Sequence, residues 1–328
     1  MAALMAGVSA LGSALLVPGV KRLAQRGGAV DVPDARRVST KITPRLGGLA
    51  IFLAFALVVA LFAALGKVSL SVGTPRVMTF FAAALLVVGV GALDDFRPLR
   101  PHAKLLVELV AALIVVYGGH CRIAGISVPG RPAVMLGAAT VPITVLWIVL
   151  VTNAVNLIDG IDGLAAGTSV IALVTIAVIA HGFGYPTVSA FAVALAGACA
   201  GFLIFNVHPA SIFLGDAGSL FLGFAIAVLS AYARAKESTG AITIGTLLIV
   251  ALPVGDTLFA IRRRYFQGLA VGSWRSHVAG LTRVFQPDRN HIHHRLLRVG
   301  LGQRGVAWAL YGIQAVACGY ALYLLVKR

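Results

Sequence analysis

Asn153-Ala-Val-Asn156-Leu-Ile-Asp159-Gly-Ile-Asp162-Gly-Leu164 follows directly on an apolar run, 134–152, that is long enough to cross a membrane. The stretch sets two amides and two carboxylates at steps of three. On a regular α-helix each such step precesses by about 60°, so the four groups cannot share one face. Gly160 and Gly163 let the chain leave the helix and curl those groups around a ligand. Two carboxylates beside glycines, at the mouth of an apolar bundle, point to a cation or a phosphate-bearing ligand.

The composition around this stretch is that of an integral membrane protein. The 328 residues are 59% hydrophobic with a mean hydropathy of +0.95, against roughly 45–50% apolar content in soluble domains. Cys121, Cys199 and Cys318 form no paired motif and support neither a zinc site nor a disulfide framework. A net charge of +16 raises nucleic acid as a partner. In a membrane chain, though, that charge reads as a topology signal and as attraction for anionic lipids and phosphates. No repeat and no separate soluble domain interrupts the chain, so 1–328 is expected to form one unit.

Ten hydrophobic segments, 2–20, 47–65, 77–93, 105–118, 134–152, 164–180, 188–205, 218–233, 241–261 and 306–326, predict an all-α bundle of about ten transmembrane helices. The first segment has no basic residue before it, and Lys21 and Arg22 follow it, which predicts a retained helix with its N-terminus outside. Alternating from there, the loops 21–46, 94–104 and 262–305 carry 7, 3 and 9 Lys/Arg, while the other side carries 8 in all. The positive-inside rule places the first set, and with it 153–163 and 206–217, in the cytoplasm.

Each remaining motif has an ordinary reading beside a chemical one. Asp31-Val-Pro-Asp34-Ala-Arg36-Arg37 runs on to Lys41 and Pro44-Arg45-Leu-Gly47-Gly48; it reads either as a basic loop at the headgroups or as backbone built to approach a ligand closely. Asp94-Asp95 repel each other and call for a cation or a basic partner, with Arg97, Arg100 and Lys104 nearby. Glu108 stands one turn beyond Lys104 and is placed to pair with it. Gly215-Asp216-Ala-Gly218-Ser219 offers free N–H groups, a hydroxyl and a carboxylate for Mg²⁺ and phosphate, or else simply caps a helix. Asp256, inside an apolar segment, reads equally as a catalytic group and as half of an ion pair with Arg262 or Arg263. The loop 262–305 is the most basic and holds Pro287-Asp288-Arg289-Asn290-His291-Ile-His293-His294-Arg295. No cysteine or acidic cluster completes a zinc set there, so the histidines with Arg289 and Arg295 suit a diphosphate better than a metal.

Taken in order, these motifs resemble the polyprenyl-phosphate N-acetylhexosamine-1-phosphate transferases along nearly the whole chain. The order is Asp-x-Pro…Pro-x-x-Gly-Gly, Asp-Asp, Asn-x-x-Asn-x-x-Asp-Gly-x-Asp-Gly, Gly-Asp-x-Gly-Ser and the histidine loop. Ile292 breaks the run of three histidines expected of the peptidoglycan branch, so the loop looks like that of the UDP-GlcNAc branch.

The resemblance implies transfer of GlcNAc-1-phosphate from UDP-GlcNAc to undecaprenyl or a related polyprenyl phosphate, with UMP released. Such a reaction would begin lipid-linked glycan synthesis for polymers such as teichoic acid or O-antigen. It implies Asp94 and Asp95 at the reacting phosphates and Asp216 as principal Mg²⁺ ligand with help from Asp94; Mn²⁺ is the expected substitute. Asn156, Asp159 and Asp162 would line the nucleotide-sugar site, Asp159 and Asp162 as catalytic carboxylates. Lys104, Arg289, His291, His293, His294 and Arg295 would bind substrate. The expected setting is the bacterial inner membrane, with the active site facing the cytoplasm and a homodimer allowed. Phospho-MurNAc-pentapeptide transfer is the alternative within the family. From another class, an ion-coupled transporter would hold its acids near the bilayer midplane, whereas eight of the eleven acids here lie at or outside predicted cytoplasmic helix ends.

Overall fold

The computed structural model describes residues 1–31, 42–67, 75–127, 134–233, 241–266 and 291–326. Its helices are α1 (Ala2–Gly27), α2 (Gly47–Ala64), α3 (Pro75–Phe96), α4 (Pro101–Leu113), α5 (Thr140–Ile158), α6 (Leu164–Gly182), α7 (Pro186–Asn206), α8 (Gly215–Tyr232), α9 (Ile244–Ile249), α10 (Ala251–Phe266), α11 (Ile292–Arg298) and α12 (Gln303–Val326). Among the described residues nine of these, α1 to α8 and α12, are long and apolar enough to span a membrane, α4 only together with the π-helical turn Ile114–Gly118 that continues it. The chain is an all-α, multi-pass integral membrane protein.

The expected span 241–261 is the exception, because it breaks in two between α9 and α10. Pro253 has no N–H to donate to the Ile249 carbonyl one turn back, so that acceptor is orphaned in an apolar setting. Gln314 of α12 fills the gap, its Nε2 donating to the Ile249 oxygen at 2.5 Å. The run 134–152 also shifts: Val134–Met135 is a strand, and α5 starts at Thr140 and continues to Ile158. Asn153 and Asn156 therefore ride on the helix, and the chain turns off it at Asp159. It re-enters at α6 through Gly163, whose φ of 78° suits glycine. At its C-terminus α1 runs on past position 20 through Lys21, Arg22 and Arg26, cations that favour a helix C-terminus.

Helix α8 is the axis of the bundle, with 94% of its span buried; α2, α3, α5, α6 and α7 all pack on it. Without a hydrophobic effect between helices in lipid, such packing depends on small residues that let backbones meet. A Cβ on Gly48 of α2 would run into the Gly218 backbone, and one on Gly91 of α3 into Asp216 and Ala217. A ring cluster of Phe55, Phe80, Phe191 and Phe221 fills the core between α2, α3, α7 and α8, with edge-on contacts such as Phe55–Phe191 at 5.6 Å. Two small sheets close the loops. Val30–Asp31 (β1) pairs antiparallel with Thr43–Pro44 (β2). At the other end of the bundle Gly125–Ser127 (β3) pairs antiparallel with Val134–Met135 (β4) and parallel with Ala241–Thr243 (β5).

Candidate functional site

The ends of α3 and α5 and the beginnings of α4 and α8 meet at one end of the bundle and bring together six of the twelve expected site residues: Asp94, Asp95, Lys104, Asn156, Asp159 and Asp216. The start of α8 is the anchor. Gly215 has a φ of 73°, and a Cβ there would strike the Asp95 carboxylate, so glycine is required on both counts. Asp95 accepts the N–H groups of Asp216 (2.9 Å) and Ala217 (3.1 Å), filling two of the helix's orphan donors. Its side chain is sealed from solvent and also pairs with Arg45 at 3.4 Å. Asp95 thus holds Asp216 in place and has no open oxygen to offer a ligand.

Asp216 faces the open side. Lys104 Nζ lies 2.7 Å from its Oδ2 and 3.3 Å from Asp94 Oδ1, so one ammonium bridges the two carboxylates. Asp94 is further held by the Leu99 N–H at 2.9 Å. Arg45 reaches Asp216 at 3.5 Å and Asp31 at 4.0 Å. It is set there by backbone: the Phe213 N–H donates to the Pro44 oxygen, while Gly47 and Gly48 donate to the carbonyls of Phe213 and Leu214. These last two bonds cap α2 and stitch its first turn to the loop leading into α8. Arg45 completes the site although the sequence reading assigned it no role; the Pro44…Gly47-Gly48 pattern was the available signal.

Asp159 has no ion pair or side-chain hydrogen bond among the described residues. It keeps part of its surface open, yet its carboxyl is pushed up to about 8, first by desolvation and then by the charges of Asp216 and Asp95, with Arg45 opposing. Beside it Asn156 Nδ2 donates to Ser219 Oγ at 2.8 Å, and that hydroxyl donates to the Gly215 carbonyl. Asn153 turns away and bonds the buried Glu108, so Glu108 pairs with Asn153 and not with Lys104 as expected. Asp162 also has its partners elsewhere. His208 Nδ1 lies 2.7 Å from it and the Ala210 N–H 3.1 Å, so it ties 159–163 to 206–214. Tyr311 and Asn206 brace the same turn through the Gly163 carbonyl and N–H.

The histidines divide. His291 caps α11 and its Nδ1 lies 2.7 Å from Asp256 Oδ2, while Asp256 Oδ1 accepts the Ile292 N–H at 2.9 Å. Both oxygens of Asp256 are thereby taken, and its expected partners Arg262 and Arg263 are not among them. His293 is 1% exposed and stacks on His291; it lies where a Cβ on Gly160 would be. Neither of its ring nitrogens has a hydrogen-bond partner among the described residues. Its pKa is lowered to about 4, by burial first and then by the neighbouring His294 and His291. His294 is half-buried beside it, and Arg295 is exposed. Arg289, Lys41, Asp34 and Asp288 lie outside the described residues.

Among the described residues no three acidic, thiol or imidazole side chains converge as a ready-made metal cage. Mg²⁺ does not require one, since it takes one or two carboxylates and leaves its other positions to phosphates and water. Asp94 and Asp216 already share a cation, the Lys104 ammonium, so their placement fits such an ion; the saturated Asp95 does not.

A family model described as glycosyl transferase family 4 matches residues 77–234. The chain is 40% identical over 306 residues to a "probable undecaprenyl-phosphate N-acetylglucosaminyl 1-phosphate transferase" of Bacillus subtilis, an overlap of 93% of this chain and 79% of that protein. It is 34% identical over 333 residues to a "decaprenyl-phosphate N-acetylglucosaminephosphotransferase" of Mycobacterium tuberculosis, covering 93% and 78%. To a "phospho-N-acetylmuramoyl-pentapeptide-transferase" of Heliobacterium modesticaldum it is 37% identical over 230 residues, covering 65% and 69%.

Proposed function

The chain belongs to glycosyl transferase family 4, and on that premise we propose that it transfers GlcNAc-1-phosphate from UDP-GlcNAc to a polyprenyl phosphate such as undecaprenyl phosphate. The products are polyprenyl-diphospho-GlcNAc and UMP, and the lipid-linked sugar begins an envelope glycan. The polar end of the bundle faces the cytoplasm in a bacterial inner membrane. The observation that carries this reading is the Lys104 ammonium bridging Asp94 and Asp216 at the start of the buried helix α8. That arrangement sets fixed positive charge and paired carboxylates at a membrane edge, where a lipid phosphate and a soluble diphosphate can meet. The greater extent of the GlcNAc-named relatives' match, 93% of the chain against 65%, favours that donor over the muramoyl pentapeptide.

The reaction joins two polyanions, so the site has to offset their repulsion. A phosphate monoester has a second pKa of about 6, so at neutral pH the lipid phosphate is already a competent nucleophile without a strong base. One of its oxygens attacks the sugar-bearing β-phosphorus, and the bond from that phosphorus to the bridging oxygen breaks, releasing UMP in line. Lys104 and Arg45 hold phosphate oxygens and balance their charge. Asp94, fixed by Leu99, orients the attacking phosphate, and Asp159 and Asn156 line the donor side. Asp216 with Asp94 would hold Mg²⁺, with Mn²⁺ as a substitute; when bound, the ion neutralises charge on the diphosphate.

Purified protein is given Mg²⁺, polyprenyl phosphate and labelled UDP-GlcNAc, UDP-GalNAc or UDP-MurNAc-pentapeptide in turn. Label entering lipid from UDP-GlcNAc, and lost with EDTA or in Asp216→Asn, supports the reading. Labelling only from the pentapeptide donor moves the protein to that branch, and no labelling of lipid from any donor by folded protein refutes the transferase.

A further inference from the structure

Asp256 sits 35 residues before His291 in the chain, on the far side of a basic loop, yet its carboxylate grips both the His291 ring and the Ile292 N–H. Both side chains are largely buried, at 10% and 5% exposure. A buried carboxylate is retained at a desolvation cost, and here each of its oxygens has a donor. Resting on the reading above, we propose that Asp256 is a positioning residue for the nucleotide-sugar side of the site: it locks the ring and tautomer of His291.

With Nδ1–H committed to Asp256, only Nε2 of that ring is left for a ligand. The orientation is then passed on by packing, because His293 stacks on His291 at 6.0 Å and presses against Gly160, next to Asp159. Helix α10 thereby sets where α11 lies against the turn that carries Asp159. The break just before Pro253 separates α10 from α9, and Gln314 bonds the carbonyl left at that break. A plain helix cap would need only one of Asp256's two bonds.

Asp256→Asn separates the two roles, since an amide oxygen still accepts the Ile292 N–H while the carboxylate partner of the imidazole is gone. In the lipid-labelling assay this variant is expected to lose about 10- to 100-fold in kcat/KM for the nucleotide sugar, the range typical of residues that orient a ligand-binding histidine, with KM for the lipid unchanged. In a His291→Ala background the same substitution is expected to change little, because coupled residues fail to add. An undiminished loss in that background, or none in either, overturns the proposal. Nitrogen-15 spectra of histidine-labelled wild-type protein in bilayers, with His291 assigned through His291→Gln, give a test that needs no Asp256 variant. A protonated Nδ1 is expected at His291, and a ring protonated at Nε2 alone overturns the proposal. Wild-type protein that labels no lipid would sink the transferase reading itself, whereas the spectra still judge the Asp256–His291 lock on its own.

Discussion

Replacing Gly48 by alanine tests whether α2 and α8 hold the site through backbone contact. The added Cβ would lie 2.6 Å from the Ala217 carbonyl carbon and closer still to the Gly218 backbone, whereas ordinary contact begins at 3.4 Å. Neither neighbour is a side chain that can swing aside, so the helices must part by about 1 Å, and overpacking of this kind typically costs about 1–3 kcal/mol. The first turns of α8 move with that shift, and they carry Asp216 and Ser219. A misplacement of about 1 Å is worth about 100-fold in rate for a positioned reaction. Gly89→Ala is the control, since a Cβ there meets nothing within 4 Å, and Gly to Ala within a helix gains about 0.5–1 kcal/mol. The assay is initial-rate transfer of label into lipid alongside melting in detergent. Gly48→Ala is expected to lower both activity and melting temperature, and Gly89→Ala neither. A Gly48→Ala protein as active and as stable as the control would refute the backbone-contact account.

Lys104→Met leaves two facing carboxylates with no shared cation; transfer is expected to fall by about 100-fold or more, while Mg²⁺ raises the melting temperature more than it does in wild type. Gln314→Leu strands the Ile249 carbonyl at a cost of about 1–3 kcal/mol, and Pro253→Ala in the same chain is expected to recover much of the lost melting temperature by restoring a helical donor. His293 has its pKa depressed from the ordinary 6.5 to about 4 in the fold, so the unfolded chain takes up a proton first as pH falls. Its contribution to stability is complete above about 6.5 and is lost as pH falls towards 4, so a His293→Phe protein is expected to show a shallower melting-temperature decline across that window.

Much of the site was legible because its chemistry is local. Asp94-Asp95, the Asn156–Asp159 turn and Gly215-Asp216 announce themselves as charge at the ends of apolar runs, and the structure gathers them at one end of the bundle. What sequence did not disclose was who pairs with whom. Arg45 looks like any cation at a headgroup until the Pro44–Gly48 backbone is stitched to Phe213 and Leu214. Asp162 reads as a partner of Asp159 by spacing, but His208 claims it from 46 residues away. Asp256 and His291 are separated by the longest basic loop in the chain. The broken ninth segment was hidden for another reason: hydropathy counts side chains, and the missing N–H of Pro253 belongs to the backbone.

The sheathing of α8 has a bearing on the bilayer itself. Lipid of a different thickness acts on a protein by tilting the helices it touches, and α8 touches other helices along nearly all of its length. The depth of Asp216 is therefore set by the interlocked backbones of α2, α3 and α8 and not by the acyl chains outside. Changing the host membrane from short to long acyl chains should alter how readily the lipid substrate arrives while leaving the geometry that receives it unchanged.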